Sequence, residues 1–125
     1  MAALLARAVR EQGRDEEALA LTCTAEAIAA EDDVDAQVLW RATRAPILAR
    51  RGAHDDAEEL VRGALERARE TEIIMLRAES LVELAAVLRC TGRDGADAAL
   101  EEAVAAYGAK GDVVSSARVA ALLRA

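Results

Sequence analysis

Residues able to do acid–base, nucleophilic or metal chemistry are few in this chain and stand far from one another. The run Glu31-Asp32-Asp33 with Asp35 offers oxygen ligands of the kind a hard cation takes. It lacks the glycine and the distal glutamate of a calcium loop, so it reads as a solvated turn whose acids cap a helix. His54 is the only histidine and sits beside Asp55 and Asp56, with no second nitrogen ligand and no nucleophile near it in sequence. Ser115 and Ser116 are expected to open the last helix and Ser80 to lie within another, none of them paired with a base. Cys23 and Cys90 have no partner at metal-ligand spacing and are expected to be packed, unbridged thiols. Trp40 and Tyr107 are expected to be packing residues with a polar tip toward the surface. On this reading the protein is not an enzyme and needs no cofactor or metal.

The arginines say more. The chain carries a formal charge of −7, which argues against nucleic acid as a partner. Yet counting back from three glycines gives the equivalent sets Arg7, Pro46 and Ala86, then Arg10, Ala49 and Arg89, then Glu11, Arg50 and Cys90. Arg7, Arg10, Glu11, Arg50, Arg89 and Cys90 are therefore the candidate residues of a peptide-binding groove, with Arg10, Arg50 and Arg89 as a ladder of donors spaced by roughly 10 Å. Such a strip suits the carboxylates of an acidic peptide. The competing reading is a set of solvated arginines paired with neighbouring acids. A clamp built on asparagine is set aside, because the chain has none.

The elements that would position these residues follow from small-residue spacing. An alanine precedes each of three glycines at the same interval: Ala6 before Gly13, Ala45 before Gly52 and Ala85 before Gly92. Ala18 and Ala25, Ala57 and Ala64, then Ala96 and Ala103 follow those glycines, the last pair one residue early. Small side chains let antiparallel helices approach closely, and glycine supplies the positive φ that ends the first helix of each pair. With 54% hydrophobic residues, no Phe and much alanine, the chain lacks strand formers and predicts a thin all-α core.

The expected helices span about 2–11, 14–28, 34–51, 55–70, 72–90, 96–107 and 112–123, with Leu4, Leu5 and Val9 as the apolar face of the first. Pro46 predicts a kink in the third helix rather than a break. Gly108 and Gly111 are expected to bracket the last turn. The whole of 1–125 reads as one domain of three hairpins, about 2–31, 33–70 and 72–107, with a capping helix over about 112–124. Leu4, Leu5 and Val9 at one end, and Val119, Leu122 and Leu123 at the other, are expected to be open and to favour self-association. The start MAALLARAVRE is too short in apolar residues for a signal peptide or a membrane span, so no membrane partner is expected and a cytoplasmic location is.

The alanine and glycine spacing resembles the tetratricopeptide repeat, over nearly the full chain. The units are longer than the family's usual ~34 residues, no proline closes them, and most aromatic positions are aliphatic. The resemblance implies a right-handed αα superhelix with a concave groove, acting as a non-catalytic protein-interaction or assembly module. A narrower resemblance rests on Leu39-Trp40-Arg41, Leu48 to Gly52, Ala57-Glu58, Leu84 to Arg89 and Leu100 to Ala103. These look like the C-terminal repeats of large bacterial signalling ATPases, and the preference for arginine over lysine is in the style of such proteins from high-GC bacteria. That implies a regulatory or sensory tail to an ATPase, nucleotide cyclase or transcription regulator. The sequence holds no phosphate-binding GxxxxGK motif of its own.

Overall fold

Alanine-rich stretches with apolar residues at helical spacing and few β-branched runs form helices, and seven of them make up the described chain. The computed structural model describes residues 1–124. In order these are α1 (Ala2–Glu11), α2 (Asp15–Ile28), α3 (Val34–Arg50), α4 (His54–Arg69), α5 (Ile74–Thr91), α6 (Ala96–Lys110) and α7 (Val113–Leu123). No strand occurs among the described residues. Each helix packs on the next, and α3 also touches both α1 and α5. No helix among the described residues is long and apolar enough to cross a membrane.

The turns repeat one hydrogen-bond pattern. At Gly52, φ is +88°, the Gly52 N–H donates to the Ala49 carbonyl at 3.1 Å, and Ala53 N–H reaches back to Leu48 at 3.0 Å. This pair of bonds uses carbonyls that the helix end would leave open. The same pair closes α1 at Gly13 and α5 at Gly92. It also closes α6, where Gly111 N–H donates to Gly108 and Asp112 N–H to Tyr107. Gly108 is therefore inside α6 and not at its edge, and the helix runs three residues past the expected Tyr107. Asp33 and Asp112 cap α3 and α7 by accepting from Ala36 N–H at 3.2 Å and Ser115 N–H at 3.0 Å. The first of these is the helix-capping role read for the acidic run.

All nine register alanines are buried, from Ala6, Ala18, Ala45, Ala57, Ala64 and Ala103 at 0% exposure to Ala96 at 8%. Their methyl groups set the helix separation, while Val61, Leu81, Leu88 and Leu100 fill the space between. On α1 the expected exposure of Leu4 and Leu5 holds and that of Val9 does not. Ala3, Ala6 and Val9 turn inward, and Leu4 and Leu5 are about half exposed. Where alanines take the contact, the bulkier leucines one position away are rotated outward. At the other end Val119 is buried and Leu123 packs against the core, so Val113, Val114 and Leu122 are the large apolar residues that α7 exposes. Cys23 and Cys90 are unbridged as expected but exposed, which corrects the packed reading.

Pro46 is buried inside α3, and the helix continues through it. Proline offers no N–H to the carbonyl four residues back, Ala42. Arg10 from α1 supplies the missing donor: its Nη1 lies 3.4 Å from the Ala42 oxygen and 3.1 Å from that of Thr43.

Candidate functional site

A cleft of about 210 Å³ lies where α1, α3 and α5 face one another, flanked by Tyr107 on α6 and by Ser115 and Arg118 on α7. Its polar residues follow from helix spacing. Arg7 and Arg10 are three apart on α1, and Glu79 and Glu83 four apart on α5, so each pair projects from one face of its helix. The arginines extend over α3 to the acids beyond. Arg7 Nη1 donates to Glu79 Oε2 at 3.0 Å, with both side chains about one-third exposed. Arg10 pairs with Glu83 more deeply, at 12% and 16% side-chain exposure.

Burial pushes the Glu83 carboxyl above its ordinary value, and the Arg10 and Arg7 charges act against that rise. Burial, then the Glu79 charge, likewise raise the Tyr107 phenol. The Thr43 hydroxyl, on the α3 wall of the cleft, is buried without a hydrogen-bond partner among the described residues. Leu39, Met75 and Val82 add partly buried apolar surface. With Arg7, Arg10 and Arg118 set against Glu11, Glu79 and Glu83, the lining is balanced in charge. Such a surface can hold an apolar side chain and exchange ion pairs with its flanks. Of the two serines lining it, Ser80 Oγ donates to the Leu76 carbonyl at 2.8 Å, and Ser115 bonds the Asp112 carboxyl, which those bonds hold below its ordinary value.

Of the residues singled out by sequence, the structure brings Arg7, Arg10 and Glu11 to this cleft and leaves Arg50, Arg89 and Cys90 outside its lining. Arg50 turns sideways to Asp15 at the start of α2, with its Nη2 2.9 Å from both carboxylate oxygens. Its neighbour Arg51 reaches Glu16 at 2.7 Å. Arg93 repeats the device one unit later, 2.6 Å from both Asp55 and Glu58 on α4. Arg89 pairs with Asp97 at 3.2 Å and also donates to the Leu122 carbonyl at 2.8 Å, tying α5 to α7. The reason is local: acids in the first turns of α2, α4 and α6 lie beside these arginines and take their charge. For Arg50 and Arg89 the competing reading, exposed arginines paired with neighbouring acids, describes the geometry.

Glu79 and Glu83 were missed by sequence reasoning, although a spacing of four puts them on one face of α5 as a spacing of three puts Arg7 and Arg10 on one face of α1. Missed too was a cluster around Trp40. The indole is 4% exposed, with the guanidinium carbons of Arg41 and Arg44 4.2 and 4.5 Å from its ring centroid. Trp40 Nε1 donates to Gln37 Oε1 at 3.2 Å, so the packing role expected of it holds. No group of three metal-ligating side chains occurs among the described residues. No family model, curated protein or solved structure matches the chain.

Proposed function

We propose that the protein is a non-catalytic interaction or assembly module of tetratricopeptide-like type. Three helix hairpins would stack in a right-handed superhelix capped by α7, and the α1–α3–α5 face would take a segment of a protein partner. The observation that carries this reading is the cleft itself, since the first helix of every hairpin contributes to one depression with apolar residues between charged pairs. An acidic side chain of the partner would compete with Glu79 for Arg7, the more exposed of the two arginines. Chemistry is not part of the proposal, and neither is nucleic acid, given the net charge of −7. The bacterial cytoplasm is the proposed setting.

A photo-crosslinking residue placed at Val82, within the cleft, should trap a discrete protein in the producing cells. The same residue at exposed Glu101 on α6 should not. Equal trapping from both positions, or trapping from Glu101 alone, would remove the cleft from the interaction.

A second reading is favoured by the open apolar ends. Leu4 and Leu5 on α1, with Val113 and Val114 at 76% and 80% exposure on α7, are surfaces that a neighbouring module would cover. An ATPase, cyclase or regulator to which the repeats form a tail is one such neighbour, and a second copy of the chain is another. Self-association should appear in sedimentation at high protein concentration and weaken in a Leu4→Glu, Leu5→Glu variant. A monomer throughout, with parent and variant alike, rules out the second copy.

A further inference from the structure

Most arginines of this chain face a carboxylate, and Arg41 is an exception that is nonetheless held rigidly. Its guanidinium stacks on Trp40, and its Nη1 donates to the Gln37 carbonyl at 2.9 Å and to Gln37 Oε1 at 2.7 Å. Gln37 is itself anchored, donating from Nε2 to the Ala30 carbonyl at 3.0 Å. Among the described residues Arg41 forms no ion pair, and its charged form is disfavoured first by burial and then by the nearby charge of Arg67. Arg67 also lacks a carboxylate partner among the described residues and folds back on α4 to the Gly63 carbonyl at 3.2 Å. Gly63 is a glycine in a helix interior, which costs about 1 kcal/mol relative to alanine. It lines the same groove as Arg41, Arg44 and Arg67, and a Cβ there would meet the Arg67 guanidinium at 3.5 Å.

We infer that the groove between α3 and α4 is an anion site in which Arg41 and Arg67 hold a phosphoryl group. Two guanidiniums lining one groove, one of them fixed in place with its Nε and Nη2 uncommitted, match a compact dianion with several acceptor oxygens. Asp56, Glu59 and Glu66 along the groove, with Glu31 and Asp32 beside Arg41 and Arg67, repel any anion, so charge spread along an extended acidic segment fits less well than a compact group seated against the two guanidiniums. Arg44 is already committed to Glu26 at 2.9 Å and to Thr22, so it orders the indole and is not counted among the ligand's donors. The site is separate from the α1–α3–α5 cleft and does not depend on the function proposed for it.

Trp40, the only tryptophan, reports on this groove directly. Titration with inorganic phosphate should change its fluorescence saturably, and chloride at matched ionic strength should not. Arg41→Gln and Arg67→Gln should each weaken the midpoint about tenfold, while Arg51→Gln, outside the groove and paired with Glu16, should leave it unchanged. A phosphoserine peptide run beside inorganic phosphate separates the sources, since tighter binding of the peptide indicates a phosphorylated protein and equal binding a small phosphate compound. Arg67 is exposed, so its variant remains informative if Arg41→Gln fails to fold. A response equal in chloride, absent altogether, or unaltered by Arg67→Gln overturns the assignment.

Discussion

Replacing Arg10 with methionine is expected to cost about 3 kcal/mol of folding stability near neutral pH, whereas Glu83→Gln should cost less than about 1 kcal/mol. The asymmetry follows from what each change leaves behind. Without Arg10, the Glu83 carboxylate stays in a site of low exposure with its closest counter-charge gone, and the Ala42 carbonyl freed by Pro46 loses its donor. Without the Glu83 charge, Arg10 keeps both carbonyl oxygens of α3. Their proton linkage differs as well. A carboxyl raised in the folded state binds more protons there than in the unfolded chain, so stability falls as pH rises from the unfolded carboxyl value through the folded one. Removing Arg10 takes away the largest influence opposing the rise, which widens that window. Urea unfolding should therefore show the Arg10→Met penalty to be smaller near pH 4 than near pH 7. The double variant Arg10→Met, Glu83→Gln should recover about 2 kcal/mol of the loss at pH 7. If Glu83→Gln proves as costly as Arg10→Met, or the penalty does not vary with pH, the pair is not what holds α1, α3 and α5 together.

Enlarging a register alanine should be comparably damaging. Ala45 is fully buried in the middle of α3, in the same core as Ala57, Val61 and Ala85. A leucine there adds three carbon atoms where neighbouring helices meet across a methyl group, forcing them apart or into poor rotamers at about 3 kcal/mol. Ala86→Leu, two helices on and exposed, is the control and should stay within about 0.5 kcal/mol of the parent. Thermal and urea unfolding of the two variants measure the difference. A loss below about 1 kcal/mol for Ala45→Leu would mean that the alanines are fillers and do not set the helix spacing.

Helix positions were legible because their signals are local. Gly13, Gly52 and Gly92 end helices wherever they are placed, since the positive φ and the two backward bonds involve only residues within a turn of the glycine. Gly111 does the same at α6, and it was misjudged only in being paired with Gly108, which a helix tolerates. The choice of face was less legible. In α1 both the leucines and the alanines recur at helical spacing, and hydrophobicity groups Val9 with Leu4 and Leu5 on one open face, whereas Val9 is buried. Close packing favours Ala3 and Ala6, because the neighbouring backbone leaves room for a methyl group and no more. For the candidate site, sequence picked out Arg7, Arg10 and Glu11 but not the acids that receive the arginines.

By itself the sequence determined the all-α class, the three glycine turns and the nine small contact residues, all consequences of backbone conformation and helical period within short stretches of chain. Only the tertiary structure decided where the charges go. Arg7 and Glu79 stand 72 residues apart, and whether they meet depends on how α1 and α5 are rotated about their axes and how far α3 separates them. Arg50 and Arg89 occupy similar places before their glycines, yet each is drawn to whichever acid the neighbouring helix presents. A long arginine side chain samples several partners within reach, and the packing of the helices selects among them.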